Sequence, residues 1–258
     1  MNSKILRLSL IAALSCATAV AMAENPFAGT WKPDYSKSHV TGQTLTFTSL
    51  GNGQVKYSEA SDTYTFTPNG SDTQNSFGDK VQWKQIDDHN WKCFTKEGDE
   101  IVTDTYTLSG DDKTLEVTES GTRPNGSAID EKVSYSRIAP GKGFYGKWKS
   151  TNMEDNSPTT MQVEANGDDG IIWNIPEIKA SVTLKFDGKD VSPVGPTVPQ
   201  GLTLAATKVG ARSFELTEKE NGKVIFRGRY TVSADGNTMT RVGSTPGAAP
   251  TKVVFQKS

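Results

Sequence analysis

The stretch Phe27-Ala28-Gly29-Thr30-Trp31-Lys32 returns as Phe144-Tyr145-Gly146-Lys147-Trp148-Lys149, 117 positions later (144 − 27). Repetition of F-x-G-x-W-K near half the chain length makes the chain two copies of one unit. The correspondence continues past the opening. Gly98, Ile101, Tyr106, Ser109, Asp111, Thr114 and Leu115 answer Gly222, Ile225, Tyr230, Ser233, Asp235, Thr238 and Met239, all at a spacing of 124. Lys132, Val133, Tyr135 and Arg137 answer Lys252, Val253, Phe255 and Lys257 at a spacing of 120. The offsets drift as loop insertions make them drift, while apolar and turn residues keep their order.

Beyond Ala23 almost nothing has helical periodicity. Thr, Val, Tyr, Phe and Trp alternate with polar residues in short runs, and Gly, Asn and Asp clusters separate them. This is the pattern of strands joined by tight turns. Tyr64 with Phe66, Val81 with Trp83, Trp91 with Cys93, and Val102 with Asp104, Tyr106 and Leu108 each share a face. Short turns pair neighbouring runs antiparallel, and closure into a barrel removes the two free edges of such a meander. The reading is all-β: two tandem antiparallel up-and-down barrels of about eight strands each. A two-sheet sandwich has the same alternation and is the architectural rival.

The chain opens with Lys4 and Arg7, then an apolar run from Leu8 to Val20, then Ala21-Met22-Ala23. That is the pattern of a signal peptide, with cleavage expected after Ala23, and the run is too short to span a bilayer permanently. Leu14-Ser15-Cys16 offers a rival reading in which Cys16 is a lipidated N-terminus. The expected organisation is 1–23 signal peptide, 24–140 first barrel and 141–258 second barrel, with Ile138-Ala139-Pro140-Gly141-Lys142-Gly143 as the linker. Removing Lys4 and Arg7 takes the formal charge from −2 to −4 (−2 − 2). With no basic cluster, nucleic acid is not an expected partner. After Cys16 only Cys93 remains, so an intramolecular disulfide is excluded from the mature chain. The expected location is the periplasm or the extracellular space.

Gly29-Thr30-Trp31-Lys32, followed by Asp34, Lys37 and Ser38, resembles the start of exported bacterial lipocalin-like domains. Lys84-Gln85-Ile86-Asp87, Lys96-Glu97-Gly98 and Ser109-Gly110-Asp111-Asp112-Lys113-Thr114-Leu115 fit the middle of such a domain, and the second copy carries similar stretches. The resemblance implies calycin-type barrels with Trp31 and Trp148 each plugging one end. It also implies a basic residue near the end of each domain, Arg137 or Lys257, packed over that tryptophan, with Gly29 and Gly146 as structural glycines.

Candidates for chemistry are few. His39 and His89 lie in separate segments, the second copy has none, and no metal site or cofactor is expected. Most carboxylates fall in turns. Cys93 alternates with Trp91 and has no identifiable base beside it, so it reads as a core residue. No nucleophile elbow or phosphate loop is present, and no catalytic residue is assigned. The expected function is non-enzymatic binding of a small apolar ligand inside a barrel. The alternative is a cell-envelope interaction module with filled barrels. The candidate ligand residues are Tyr57, Tyr64, Phe66, Trp83, Trp91, Asp104 and Tyr106. They give the first copy aromatic faces and one orienting polar group.

Overall fold

A computed structural model describes residues 25–258 apart from 61, 77, 98 and 99. The expected cleavage site after Ala23, and Cys16, lie outside the described residues. The strands are β1 Gly29–Pro33, β2 Thr44–Gly51, β3 Gln54–Glu59, β4 Asp62–Phe66, β5 Asn69–Gln74, β6 Lys80–Gln85, β7 Asn90–Glu97, β8 Glu100–Leu108, β9 Thr114–Thr122 and β10 Ala128–Arg137. They continue as β11 Gly146–Asp155, β12 Met161–Ala165, β13 Gly170–Ile175, β14 Ala180–Lys185, β15 Leu202–Gly210, β16 Ser213–Glu220, β17 Lys223–Val232, β18 Thr238–Ser244 and β19 Thr251–Lys257. Two single-turn 3-10 helices, Tyr35–Lys37 and Pro176–Ile178, interrupt them. No helix among the described residues is long and apolar enough to cross a membrane.

All ladders are antiparallel and fall into two sheets of ten and nine strands, each curled nearly closed around its own apolar core. Two barrels are therefore present, and the sandwich is not. The strand counts exceed the expected eight because short polar strands such as β5 take part.

In the ten-stranded barrel β4 meets β5 at the seam. There Ser76 Oγ donates to Thr63 O at 2.6 Å and Thr73 Oγ1 donates to Thr65 O at 3.1 Å. In the nine-stranded barrel the residues after β14 bridge the seam. Val194 pairs with Ser181 of β14, and Val191 pairs with Leu204 of β15.

The barrels do not coincide with the two copies. The ten-stranded barrel is β2 to β11, and β11 lies between β10 and β2. The nine-stranded barrel is β12 to β19 closed by β1, which lies between β12 and β19. Each F-x-G-x-W-K strand thus completes the barrel of the other copy. Trp31 is fully buried among Met161, Phe214 and Met239, and Trp148 among Leu45, Phe47 and Trp91. The expected division of 24–140 from 141–258 is corrected to 44–155 for one barrel, and 29–33 with 161–257 for the other.

The cause lies in the Pro-Gly stretch, which is a hairpin turn and not a linker. Arg137 fixes it. Its Nε donates to Asp112 O at 2.6 Å, its Nη1 to Tyr145 O at 2.7 Å, and its Nη2 to Gly143 O. Ile138 N then donates to Lys147 O at 2.8 Å, which leads β10 directly into β11. The true crossings are 34–43 and 156–160. The first is held to β19 by Asp34 N donating to Val254 O at 2.7 Å, and by pairing of His39 with Lys252.

Candidate functional site

The ten-stranded barrel is plugged at one end and recessed at the other. At the plug, Trp148 Nε1 donates to Phe144 O at 3.0 Å, and the Arg137 guanidinium lies 4.1 Å from the centre of the Trp148 ring. The nine-stranded barrel repeats the arrangement. Trp31 Nε1 donates to Phe27 O at 2.8 Å, with Lys257 Nζ 5.5 Å from the ring. Each cation therefore covers the tryptophan of the other copy, as the strand exchange requires. Gly29 and Gly146 explain the glycine of the motif. Their φ values are +139° and +134°, and a Cβ would meet Lys257 Cε at 2.3 Å and Arg137 Nη1 at 2.7 Å. The cation reaches the ring only where no side chain stands in its path.

Above the plug the barrel is packed with rings. Phe66 stacks on Trp83 at 4.3 Å, and Trp91 on Phe144 at 4.5 Å. Phe47 lies between them, edge-on to Trp83, Trp91, Tyr57 and Tyr106 at 5.6–5.8 Å. Tyr64 closes the side, accepting a hydrogen bond from Trp83 Nε1 at 3.0 Å. Tyr64, Phe66, Trp83 and Trp91 thus pack as the core of the barrel, and Trp91 also borders an open cleft of about 650 Å³ at the plug end, with His89, Asp112 and Tyr145. Of the sequence candidates, Tyr57, Asp104 and Tyr106 line a separate cavity.

That cavity, of about 240 Å³, is completed by Glu59, Val117, Glu119, Glu131, Val133 and Tyr135. Strand register builds its wall. Cys93 of β7, Asp104 of β8, Glu119 of β9, Glu131 of β10 and Asp155 of β11 are successive direct partners, so they form one row across five strands. Two residues along each strand, the row becomes Tyr106, Val117 and Val133. Six residues separate Glu131 from Arg137, so the acidic row stands about 20 Å from the plug.

Hydrogen bonds divide these carboxylates. Tyr57 OH donates to Glu59 Oε2 at 2.6 Å, and Tyr135 OH donates to Glu59 Oε1 at 3.0 Å. Burial raises the Glu59 pKa, and the two phenols oppose that rise. Glu131 Oε1 lies 3.7 Å from Arg123 Nη2. Among the described residues no side chain donates to Asp104. Burial first, then the charges of Glu59 and Glu131, push it up to about 7. Burial and Asp104 likewise raise the Cys93 thiol well above its ordinary value, so it stays neutral and packs as a small core residue. His89 Nδ1 lies 3.3 Å from Leu108 O, while His39 belongs to the crossing segment. Among the described residues, no group of three or more His, Cys, Asp and Glu is placed to hold a metal ion.

Sequence reasoning missed Glu59, Glu119 and Glu131. Glu119 and Glu131 are legible only once Asp104 is taken as inward and the β8–β9–β10 register is known. Tyr57 and Glu59 also line a cleft of about 580 Å³ whose far wall, with Glu218, Phe226 and Arg241, belongs to the nine-stranded barrel. The core of that second barrel is closely packed; a void of about 10 Å³ among Phe27, Trp173, Phe214 and Tyr230 is at the bare minimum that one water requires. An apolar pocket of about 200 Å³ lies at its mouth, lined by Trp173, Val182, Leu204 and, from the Pro-rich stretch, Pro193, Val198 and Pro199. No family model, curated protein or solved structure matches the chain.

Proposed function

We propose that this chain is an exported, non-enzymatic, lipocalin-like binding protein that holds one small molecule in the recessed end of its ten-stranded barrel. The observation that carries the reading is the cavity of about 240 Å³ at the end opposite the Trp148 plug. It combines ring faces and valine methyls with a carboxyl group that accepts no hydrogen bond from any described residue, the usual make-up of a small-molecule site. The packed rings beneath it serve as a rigid floor. The acidic wall argues for a ligand with a polar end, in place of the wholly apolar ligand expected from sequence. Export is supported by the charged, apolar and small-residue succession at the N-terminus.

The test is to fill the cavity. Small aromatic compounds are titrated into the mature chain while tryptophan emission is followed, since Trp83 packs against Tyr106 at 4.9 Å. Saturable binding is expected, and Val133→Phe, at a half-buried lining position, should abolish it without loss of near-ultraviolet circular dichroism. Absence of saturable binding by every compound, or undiminished binding by the folded Val133→Phe protein, would count against the reading.

A second reading has its own observation in the apolar pocket under Pro193–Pro199. A wholly apolar ligand would sit there, against Trp173, and its binding would be insensitive to Val133→Phe.

A further inference from the structure

We propose that the ligand of the ten-stranded barrel is a small organic cation: a protonated amine attached to an aryl or short alkyl body. The inference rests on the reading of this cavity as a binding site and adds the chemical class of its occupant.

Charge is the first argument. Glu59, Asp104, Glu119 and Glu131 line the cavity, and none of its lining residues is Lys, Arg or His. Asp104, Glu119 and Glu131 are direct cross-strand partners, an arrangement of like groups that costs stability in a sheet. Arg123 approaches this row at Glu131, 3.7 Å away. A positively charged occupant offsets both the repulsion and the burial of the carboxylates.

Hydrogen-bonding capacity is the second. Glu59 already accepts from two phenols. Asp104 lines the cavity with no hydrogen bond from any described residue, so its acceptor capacity is left for an ammonium. The third argument is the aromatic part of the lining. Tyr57, Tyr106 and Tyr135 present rings, and an ammonium within about 6 Å of a ring face is attracted to it. A bare metal ion does not suit the same residues, because the carboxylates are spread along a row and do not converge on one point. An organic cation whose body occupies the remaining volume does suit them. Tyr57 and Glu59 line both this cavity and the cleft between the barrels, so the two spaces adjoin.

The experiment uses the mature chain and three probes of similar shape: 2-phenylethylammonium, 2-phenylethanol and 3-phenylpropanoate, titrated calorimetrically near neutral pH. The ammonium should bind at least about tenfold more tightly than the alcohol, as a charge-assisted hydrogen bond allows. The carboxylate should bind least. Asp104→Asn keeps side-chain shape and relieves a row of like charges, so it should fold. It should bring the ammonium down to the affinity of the alcohol. Equal affinity for ammonium and alcohol, or a preference that survives Asp104→Asn, would overturn the cation and leave the cavity standing. Failure of all three probes would remove the cavity reading as well. Saturable binding of calcium chloride alone that competes with the ammonium would replace the organic cation by a metal.

Discussion

Trp148 and Trp31 show how much a single residue reports about this chain. Both are fully buried, both donate their indole N–H to the carbonyl four residues back, and both lie under a cation. Their importance was legible from repetition of the motif; their partners were not, because a motif states what a strand carries and not which edge it joins. Truncation tests the exchange directly. Trp148→Ala should destabilise the barrel of residues 44–155 by about 3–5 kcal/mol, the usual range for a buried aromatic, and leave the other barrel nearly unaffected. Trp31→Ala should do the reverse. Hydrogen exchange resolved by segment would show which half loosens, and loosening of the half that contains the mutated residue's own copy would refute the exchange. Asp104 is the other informative residue. It ionises near pH 4 in the unfolded chain but retains its proton to about 7 in the fold. Below pH about 4 both states are protonated; between about 4 and 7 the unfolded chain releases a proton that the folded chain keeps. Ligand-free stability should therefore fall as pH rises through that window and level off above it. Glu59 on β3, Glu119 on β9, Glu131 on β10 with its Arg123, and the neutral Cys93 on β7 face this group. Asp104→Asn should flatten most of the slope in a melting series, and Glu59, shifted the same way, should leave a smaller remainder. A slope of the opposite sign, or one unchanged in Asp104→Asn, would show that Asp104 does not titrate as its surroundings imply.

At the scale of elements, what could be read from sequence depended on whether side chains or backbone carried the structure. β6 and β7 alternate apolar with polar residues, and Val81, Trp83, Trp91 and Cys93 are buried as that alternation requires. The Ser-x-Asp turns were equally readable. Ser109 Oγ donates to Asp111 Oδ1 at 2.8 Å and accepts from Thr114 N at 3.0 Å; Ser233 repeats this with Asp235 at 2.5 Å and Thr238 N at 3.0 Å. The short second half of the opening motif makes a turn of its own, in which Asp34 pairs with Lys37 at 2.7 Å and accepts from Ser36 Oγ at 2.5 Å. β5 could not be read. Asn69-Gly70-Ser71-Asp72-Thr73-Gln74 has no apolar residue, and it is a strand because β6 offers it a ladder and the seam offers it hydroxyl partners. The Pro-Gly stretch after β10 was misread for a related reason. Turn-forming residues are common to linkers and hairpins, and only the Arg137 contacts to Asp112, Gly143 and Tyr145 decide between them.

At the scale of the whole molecule, the exchange makes one barrel continuous in sequence and the other discontinuous. Residues 44–155 form a ten-strand meander in chain order, whereas the nine-stranded barrel needs the N-terminal strand to close between β12 and β19. The two barrels should therefore differ in independence. A fragment of residues 41–157 contains every strand of the first, together with both aromatic residues of its plug, Phe144 and Trp148. It also keeps the contacts that seal its ends: Gly42 N donates to Ser150 O at 3.0 Å, and Asp130 N donates to Ser157 Oγ at 2.7 Å. This fragment should fold alone, with the near-ultraviolet circular dichroism of a packed aromatic core and a cooperative thermal transition. Residues 24–140, cut at the border that the duplication suggests, lack β11, Phe144 and Trp148 and carry β1 without its partners. That fragment should lack fixed aromatic packing, and so should residues 141–258, which lack Phe27 and Trp31. Mixing the two should restore structure, because each supplies the strand that closes the other. Because the two opening strands are alike in sequence, one competing outcome is open to the 24–140 fragment: β1 could take the place of β11 between β10 and β2. If 24–140 folds as cooperatively as 41–157, the opening strands are interchangeable and the exchange is one of two accessible closures. If 24–140 folds and 41–157 does not, the continuous barrel described here is wrong.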